Sequence, residues 1–353
     1  MKQSEAIPES GVPKRGILQR LKEGIVLGAE GYLFELERRG YLKAGPYVPE
    51  VVLDYPEAVK ELHREFLHAG SEVMVAFTYY AHRDKMRVIG REANLEELNR
   101  QALRLAIEVA NEAANNAAPE DAALVAGNLS NTWKYDPDDH EASEKIVAPM
   151  FEEQAAWAKE EGVDFIIAET FSHVGEALIA LKAIKQTGLP SMVTFIPIYE
   201  RSLDGHTWED ACKMLEDSGA DIVGLNCGRG PNTMNGFLRS LRKKAGSYLA
   251  AQPVAYRTTE KQPFFQALKE PGCKCAFPLA LDPFTHTRDE MAKFAIEARE
   301  IGVNYIGICC GAAPHHVRAM AEALGRIVPA SKYSSDMSMH PVIGTGKSLC
   351  KED

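Results

Sequence analysis

Cys227, Cys309 and Cys310 are the residues whose type and spacing most directly indicate chemistry. Each follows a short apolar run that is typical of a buried strand, in the segments GLNC and GICC, and the last two are adjacent. Three thiolates suit Zn²⁺, which accepts tetrahedral sulfur coordination and has no redox chemistry of its own. A fourth, open position would let the ion take a substrate. The alternatives are that the cysteines are small buried side chains, or that they hold an iron–sulfur cluster.

Glu169 is predicted to lie at the level of these cysteines. Four segments place a glycine, which suits the left-handed position after a helix, before a β-branched apolar strand. These glycines are Gly70, Gly162, Gly219 and Gly302. Glu169 and the three cysteines each lie seven or eight residues after such a glycine. This spacing puts them at the carboxyl ends of parallel strands, where barrel enzymes assemble their sites.

The elements that must position these residues are eight strands that alternate with amphipathic helices. The helix over Leu95 to Val109 has apolar residues at steps of three and four. Helix starts are indicated by Pro56 and by Thr207 and Thr287, which precede Asp210 and Glu290 as capping boxes do. The strands are predicted at Ile25–Gly28, Val73–Thr78, Leu124–Ser130, Phe165–Glu169, Met192–Ile196, Ile222–Asn226, Tyr248–Ala251 and Tyr305–Cys309. Alternation without hairpin signatures favours one α/β fold, a single (β/α)8 TIM barrel, over an open doubly wound sheet.

We divide the chain into a polar N-terminal segment over 1–16, the barrel with the zinc and substrate site over 17–328, and a short irregular C-terminal arm over 329–353. The first segment lacks the apolar run of a signal peptide, and no apolar run approaches membrane-spanning length. We therefore expect a cytoplasmic protein with no membrane partner.

Composition excludes some further classes. The 353 residues include 40 Lys and Arg against 50 Asp and Glu, a formal charge of -10, so nucleic acid is not an expected partner. No glycine-rich phosphate loop follows a strand, so no nucleotide cofactor is indicated. Of the other cysteines, Cys212 is expected in the core, and Cys273 and Cys275 are expected to be structural. His315 and His316 are expected to face solvent or to cap the last helix.

The chain also resembles the homocysteine S-methyltransferase family, in which three cysteines at these strand ends hold zinc. The resemblance rests on GLNC, on GICCGAAPHHVRAMAEAL, and on KRGILQRL, ELERRGYLKAGP, YPEAVKELHREFLHAGSEVM, AALVAG and DFIIAE, which together span roughly 14–324. It implies zinc ligation by Cys227, Cys309 and Cys310. It also implies that Glu169 binds the amino group of a thiol substrate and that Tyr80 belongs to a methyl-donor pocket.

Other positions depart from the family. An Asp-Gly-Gly motif at the end of strand one is replaced by Ala29, Glu30 and Gly31, and Tyr47 stands in place of a tryptophan of close relatives. Glu30 is the candidate to replace the missing carboxylate, although a neighbouring strand-end position points its side chain differently. Two substrate-contacting residues of the family, a threonine and a tyrosine, are replaced by Ala76 and Thr170. We add Gly31 and Asn226 to the predicted substrate-binding residues.

The resemblance implies a zinc-dependent S-methyltransferase that moves a methyl group from an onium donor, such as glycine betaine, to a small thiol, homocysteine, giving methionine. The donor must be an onium compound because its leaving group then departs neutral. Aromatic faces bind such groups; Tyr79 and Phe171 are available besides Tyr47 and Tyr80. Two alternatives stay open: a sulfonium donor (dimethylsulfoniopropionate or S-methylmethionine) or a different thiol, and a catalytically silent zinc-binding sensor. A homo-oligomer is expected, and the short arm gives no reason to assume a tetramer.

Overall fold

The structure, a computed structural model, describes residues 14–114, 118–269, 272, 275–341 and 344. Eight parallel strands form one sheet: β1 Val26–Leu27, β2 Val73–Val75, β3 Leu124–Ser130, β4 Phe165–Phe171, β5 Ser191–Phe195, β6 Ile222–Asn226, β7 Tyr248–Gln252 and β8 Tyr305–Ile306. Each strand pairs with the next along the chain from β2 to β8, and β8 pairs with β1. A parallel bridge between Gly28 and Val73 joins the two edge strands. The sheet therefore closes into the predicted (β/α)8 barrel.

Helices cover the outside of the barrel. They are α1 Ile17–Glu23, α2 Tyr32–Arg38, α3 Val51–Asp54, α4 Pro56–Ala69, α5 Arg83–Val88, α6 Leu95–Ala114, α7 His140–Glu161, α8 Val174–Thr187, α9 Trp208–Asp217, α10 Pro231–Lys244, α11 Arg288–Ile301 and α12 Pro314–Ala323. The long helices bury one stripe each against strands that are themselves buried on both faces. The main core therefore lies between the barrel and its helices.

The local signals in the sequence work as predicted. The four glycines after helices have left-handed backbones, with φ between 86° and 109°. Thr287 and Glu290 form a complete capping box, and Thr207 accepts a hydrogen bond from the Asp210 N–H. Pro56 lies in the first turn of α4. These signals depend on neighbours in the chain, so they could be identified without tertiary contacts.

The ends of some strands were predicted wrongly. β2 ends at Val75 instead of Thr78, because the Thr78 N–H turns back to the Ala76 carbonyl, 2.7 Å away. β8 ends at Ile306, so Cys309 and Cys310 belong to the loop that follows it. The Cys309 N–H still bonds the Pro253 carbonyl at 2.9 Å. The barrel's hydrogen bonding thus extends beyond the regular strands and fixes the start of this loop.

The two terminal segments are only partly within the described residues. Of the predicted N-terminal segment only 14–16 are described, and the division of the chain at 16 and 328 stays a prediction. In the predicted arm, the described residues form 3₁₀ turns at Pro329–Tyr333 and Met337–Met339, while 342–343 and 345–353 lie outside them. Among the described helices, none has both the length and the apolar character needed to span a bilayer.

Candidate active site and metal centre

The three predicted cysteines meet at the carboxyl end of the barrel. Their sulfur atoms all lie within 4.8 Å of one another. The Cys227 Sγ is 3.5 Å from the Cys310 Sγ, which is 3.9 Å from the Cys309 Sγ. Three sulfurs that bind one zinc at about 2.3 Å in tetrahedral geometry lie about 3.8 Å apart. The two measured separations lie on either side of this value, so the donor set fits a zinc ion.

Glycines hold the backbone of this cluster in place. Gly228 and Gly311, which directly follow Cys227 and Cys310, have φ values of 67° and 80°. A Cβ at Gly311 would lie 2.5 Å from the Tyr256 ring, so no side chain fits there. Both turns therefore require glycine, the residue for which a left-handed backbone costs least. The glycines turn the chain immediately after the sulfur-bearing residues.

Hydrogen bonding among the three thiols shifts their pKa values in opposite directions. Hydrogen bonds from the Cys309 and Cys310 thiols lower the pKa of Cys227 well below the usual thiol value. Hydrogen bonding to Cys227 and to Cys310, followed by burial, raises the pKa of Cys309. One sulfur is thus stabilised as a thiolate at the expense of its neighbours.

Two carboxyl groups lie beside the sulfurs. Glu30 and Glu169 each place an oxygen within 4.8 Å of the other and of the Cys309 Sγ. Their side chains are 9% and 4% exposed. Burial is the main cause that raises the pKa of both, and for Glu169 the charge of Glu30 adds to it. The Glu30 side chain therefore does reach the site from the position after the missing aspartate.

The two carboxyl groups differ in their partners. Each Glu169 oxygen accepts an amide N–H bond, from Asn128 at 2.6 Å and from Asn226 at 2.7 Å. The Thr170 hydroxyl, 3.3 Å from Glu169, also accepts a bond from Asn226. Neither buried Glu30 oxygen has a hydrogen-bond donor within 3.5 Å, although Glu169 and Gln252 lie near enough to oppose the rise in the pKa of Glu30. Glu169 is therefore held in a fixed position, whereas Glu30 has unused acceptor capacity for a ligand.

The cavity that contains these groups has an aromatic side. It is lined there by Tyr47, Tyr79, Tyr80, Trp133, Phe265 and Phe277. The Trp133 indole N–H donates to the Tyr80 hydroxyl at 2.7 Å, while the buried hydroxyl of Tyr47 has no partner. Burial raises the pKa of Tyr47 to about 12. Among the described residues that line the cavity there is no Lys, Arg or His.

Backbone strain is concentrated in the wall of this cavity. In the described part of the chain, five non-glycine residues have positive φ, and all five line the cavity. They are Tyr47, Tyr80, Trp133, Thr170 and Cys227, with φ between 55° and 68°. A left-handed backbone costs a non-glycine residue free energy, and such residues cluster at functional sites. The backbone conformations that direct these side chains therefore lower the stability of the fold.

Some predicted residues lie behind the wall instead of in it. Asn226 is fully buried and reaches the cavity only through Glu169 and Thr170. Gly31 packs against Ala312, where a Cβ would meet the Ala312 Cβ at 2.5 Å. Phe171 is buried against Phe151 and is a core aromatic. Ala76, which replaces a family threonine, does line the cavity.

The sequence interpretation did not include Asn128, Trp133 or the ring of Phe277 in the site. Asn128 could have been suspected, because a buried amide two residues before the end of a strand needs a polar partner. Trp133 and Phe277 lie in loops whose paths no local pattern fixes.

The other described cysteines, and the two histidines considered from the sequence, lie outside the site. Cys212 is fully buried in the core, as predicted, and Cys275 is exposed. Cys273 lies outside the described residues. His315 is exposed, while His316 is buried and accepts the Ala313 N–H at the start of α12, so it has the predicted capping role but does not face solvent.

Comparisons with known proteins agree with this geometry. A family model described as homocysteine S-methyltransferase matches residues 30–324. The betaine–homocysteine S-methyltransferase 1 of Mus musculus is 41% identical over 349 residues, which cover 93% of this chain and 81% of the mouse protein. The S-methylmethionine–homocysteine S-methyltransferase of Pongo abelii is 38% identical over 345 residues, covering 93% and 88%.

A solved structure shows the same fold. It is the metallated form of the homocysteine methyltransferase MmuM from Escherichia coli, which matches with a TM-score of 0.68 at 18% identity. The match covers 85% of this chain and 96% of the bacterial one.

Proposed function

Because this chain belongs to the homocysteine S-methyltransferase family, we propose that it transfers a methyl group from an onium donor to the sulfur of homocysteine, with Zn²⁺ held by Cys227, Cys309 and Cys310. The observation that carries the proposal is the convergence of three sulfurs within 4.8 Å in a cavity that also holds two carboxyl groups and an aromatic wall. Zinc ligation is supported by the sulfur separations, which bracket the spacing of a tetrahedral site.

A zinc ion held by Cys227, Cys309 and Cys310 would act as a Lewis acid that keeps the substrate thiol ionised at pH 7, where a free thiol with a pKa of about 8.5 is mostly protonated. Three cysteine thiolates leave the complex net negative. The substrate sulfur therefore stays electron-rich, as an attacking nucleophile must.

Glu30 and Glu169 form the receptor for the ammonium group of the thiol substrate. They lie next to Cys309, so an amino acid that presents its thiol to the three cysteines can present its ammonium to both carboxyl groups. Asn128 and Asn226 fix Glu169 from behind, and the free oxygens of Glu30 accept the remaining N–H bonds. A buried ammonium needs such charge-assisted partners.

The aromatic side of the cavity receives the donor. Onium groups bind to the faces of Tyr and Trp rings, and each such contact contributes about 0.5 to 2 kcal/mol to binding. Tyr47 and Tyr80 are the donor residues that we propose, with Trp133 orienting the Tyr80 ring through its hydrogen bond. Glycine betaine is the donor suggested by the mouse relative, and a sulfonium donor is suggested by the relative from Pongo abelii.

The reaction is a direct displacement on carbon. The bond between the homocysteine sulfur and the methyl carbon forms as the bond from that carbon to the onium nitrogen or sulfur breaks. The leaving group keeps the electron pair and departs as a neutral amine or sulfide, and methionine is the other product. The thiol proton is released to solvent water before this step. Because charge is neutralised as the methyl group moves, a cavity that excludes water lowers the barrier.

The three thiols also bear on where the protein works. They must stay reduced to bind an ion, which favours a reducing compartment such as the cytoplasm.

The proposal is tested by incubating the zinc-loaded protein with homocysteine and a panel of donors: glycine betaine, dimethylsulfoniopropionate and S-methylmethionine. Methionine formation is followed by mass spectrometry and zinc content by elemental analysis. We expect one zinc per chain, methionine with at least one donor, and loss of activity on chelation that is restored by zinc. Homocysteine binding by calorimetry without any methionine would instead identify a zinc-binding sensor.

A further inference from the structure

The proposed function leaves one charged group of the donor without a partner in the cavity. Glycine betaine and the sulfonium donors all carry a carboxylate besides the onium group, yet the described residues lining the cavity offer it no cation. The cavity instead holds two carboxyl groups and three thiols. A carboxylate brought into this site loses hydration and is repelled unless a positive group meets it.

Lys85 on α5 is a cation in contact with this wall. Its Nζ lies over the Tyr80 ring, 4.4 Å from the ring centroid. Tyr80 in turn lines the cavity and is hydrogen-bonded to Trp133, which is 57% exposed and so lies at the mouth. Lys85 does not itself line the cavity. Its flexible four-carbon stem, however, lets the ammonium group move between the ring and a ligand at the mouth.

The neighbouring cations on this face are already paired. Arg83 binds Glu153 at 2.6 Å, Arg87 binds Glu92 at 2.9 Å, and Lys134 binds Asp84 at 2.6 Å. Among the described residues, Lys85 has no carboxylate within ion-pair distance, although the chain has more acids than bases. A half-buried ammonium group with only a ring as its partner has bonding capacity left for an anion.

Among the described residues, His82 is the other basic side chain in contact with the Tyr80 ring. His82 packs edge-on against the Tyr80 ring, with 6.1 Å between the centroids. Its pKa is lowered to about 4, mainly by burial, so it is neutral at pH 7. Burial also lowers the pKa of Lys85. An anion bound at Lys85 would offset that cost of burial.

We propose that Lys85 is a specificity-determining residue that binds the carboxylate of the methyl donor at the mouth of the cavity. This inference rests on the proposed function for the onium end of the donor. Lys85 then acts on specificity: it attracts zwitterionic donors and repels cations that lack a carboxylate.

The test compares Lys85→Met with Lys85→Arg and with Lys134→Met, a matched control whose ammonium group is already paired. We measure the KM for glycine betaine and dimethylsulfoniopropionate, which carry a carboxylate, and for trimethylsulfonium, which does not. Lys85→Met should raise the KM for glycine betaine and for dimethylsulfoniopropionate by about 10-fold, as expected for the loss of a charge-assisted hydrogen bond. The KM for trimethylsulfonium should stay the same or fall, because the substitution removes a positive charge that repels this cation. Lys85→Arg should retain most of the preference for donors that carry a carboxylate, and Lys134→Met should retain all of it.

Calorimetry of glycine betaine and tetramethylammonium binding to the zinc-loaded protein separates this inference from the proposed function. If no donor methylates homocysteine, the proposed function fails, while a Lys85→Met change in the ratio of the two affinities still supports the carboxylate site. Equal shifts for both ligands, or no binding of either glycine betaine or dimethylsulfoniopropionate by the parent protein, would overturn the role of Lys85.

Discussion

The Sγ atoms of Cys227 and Cys310 lie 3.5 Å apart, although 83 residues separate the two in the chain. They are brought together because β6 and the loop after β8 end at the same rim of a closed barrel. No local interaction could hold two thiols at this distance. The contact therefore requires the whole barrel.

Replacing Cys310 by serine should abolish both metal binding and methyl transfer. A hydroxyl is a poor ligand for zinc beside two thiolates, and the remaining pair cannot complete the site. We expect activity to fall by more than about 100-fold, the upper range for losing a residue that only orients a ligand. Elemental analysis and turnover are measured together, with the exposed Cys275→Ser as the control. Full zinc content in Cys310→Ser would contradict the assigned ligand set.

Glu30→Gln should weaken binding of the thiol substrate through its amino group. The change keeps the shape of the side chain but removes the charge that meets the ammonium group. We expect the KM for homocysteine to rise by about 10-fold or more, in the range of a charge-assisted hydrogen bond. The control substrate is 4-mercaptobutyrate, which lacks the amino group. Its KM should change much less, and an equal rise for both thiols would remove Glu30 from the ammonium receptor.

The same substitution should stabilise the zinc-free protein at neutral pH. Burial raises the pKa of Glu30 and Glu169 above the unfolded value of about 4.3. The folded protein therefore holds protons over a pH range in which the unfolded chain has lost them, and its free energy of unfolding falls as the pH rises through that range. Replacing one carboxyl group of the pair should therefore make the free energy of unfolding decrease less as the pH rises.

Thermal unfolding of the apoprotein at pH 4 and pH 7 measures this effect. Glu30→Gln should raise the Tm at pH 7, by about 1 to 2 °C for each kcal/mol, and the gain should shrink at pH 4. Glu260→Gln, an exposed carboxyl outside the site, is the matched control. A Glu30→Gln protein that is less stable than the parent at pH 7 would contradict the hypothesis that ionisation of the buried pair destabilises the fold.

Tyr47 should contribute its ring to donor binding. Tyr47→Ala removes the aromatic face and should raise the KM for the onium donor by about 2- to 30-fold, the equivalent of one cation–π contact. Tyr47→Phe keeps the ring and the left-handed backbone and should retain most of the affinity. A Tyr47→Ala enzyme with an unchanged donor KM would place the onium group elsewhere in the cavity.

The sequence by itself determined the framework of this protein. Glycines after helices, capping boxes and apolar strands are local signals, and counting from Gly162 or Gly219 located Glu169 and Cys227 at one level of the barrel. Such counting succeeds because the strands of the barrel run in one direction, so an equal count from the glycine before each strand reaches the same rim. The zinc ligands could therefore be proposed before any tertiary contact was known.

Only the tertiary structure decided which side chains share the cavity. The direction of Glu30 depends on the loop after β1, where the Glu30 N–H bonds the Ile308 carbonyl at 2.9 Å from the opposite end of the chain. Asn128 of β3 meets Glu169 of the neighbouring strand β4, 41 positions further along the chain. Side-chain direction at a strand end follows from backbone angles that distant contacts impose, so no local pattern in the sequence encodes it.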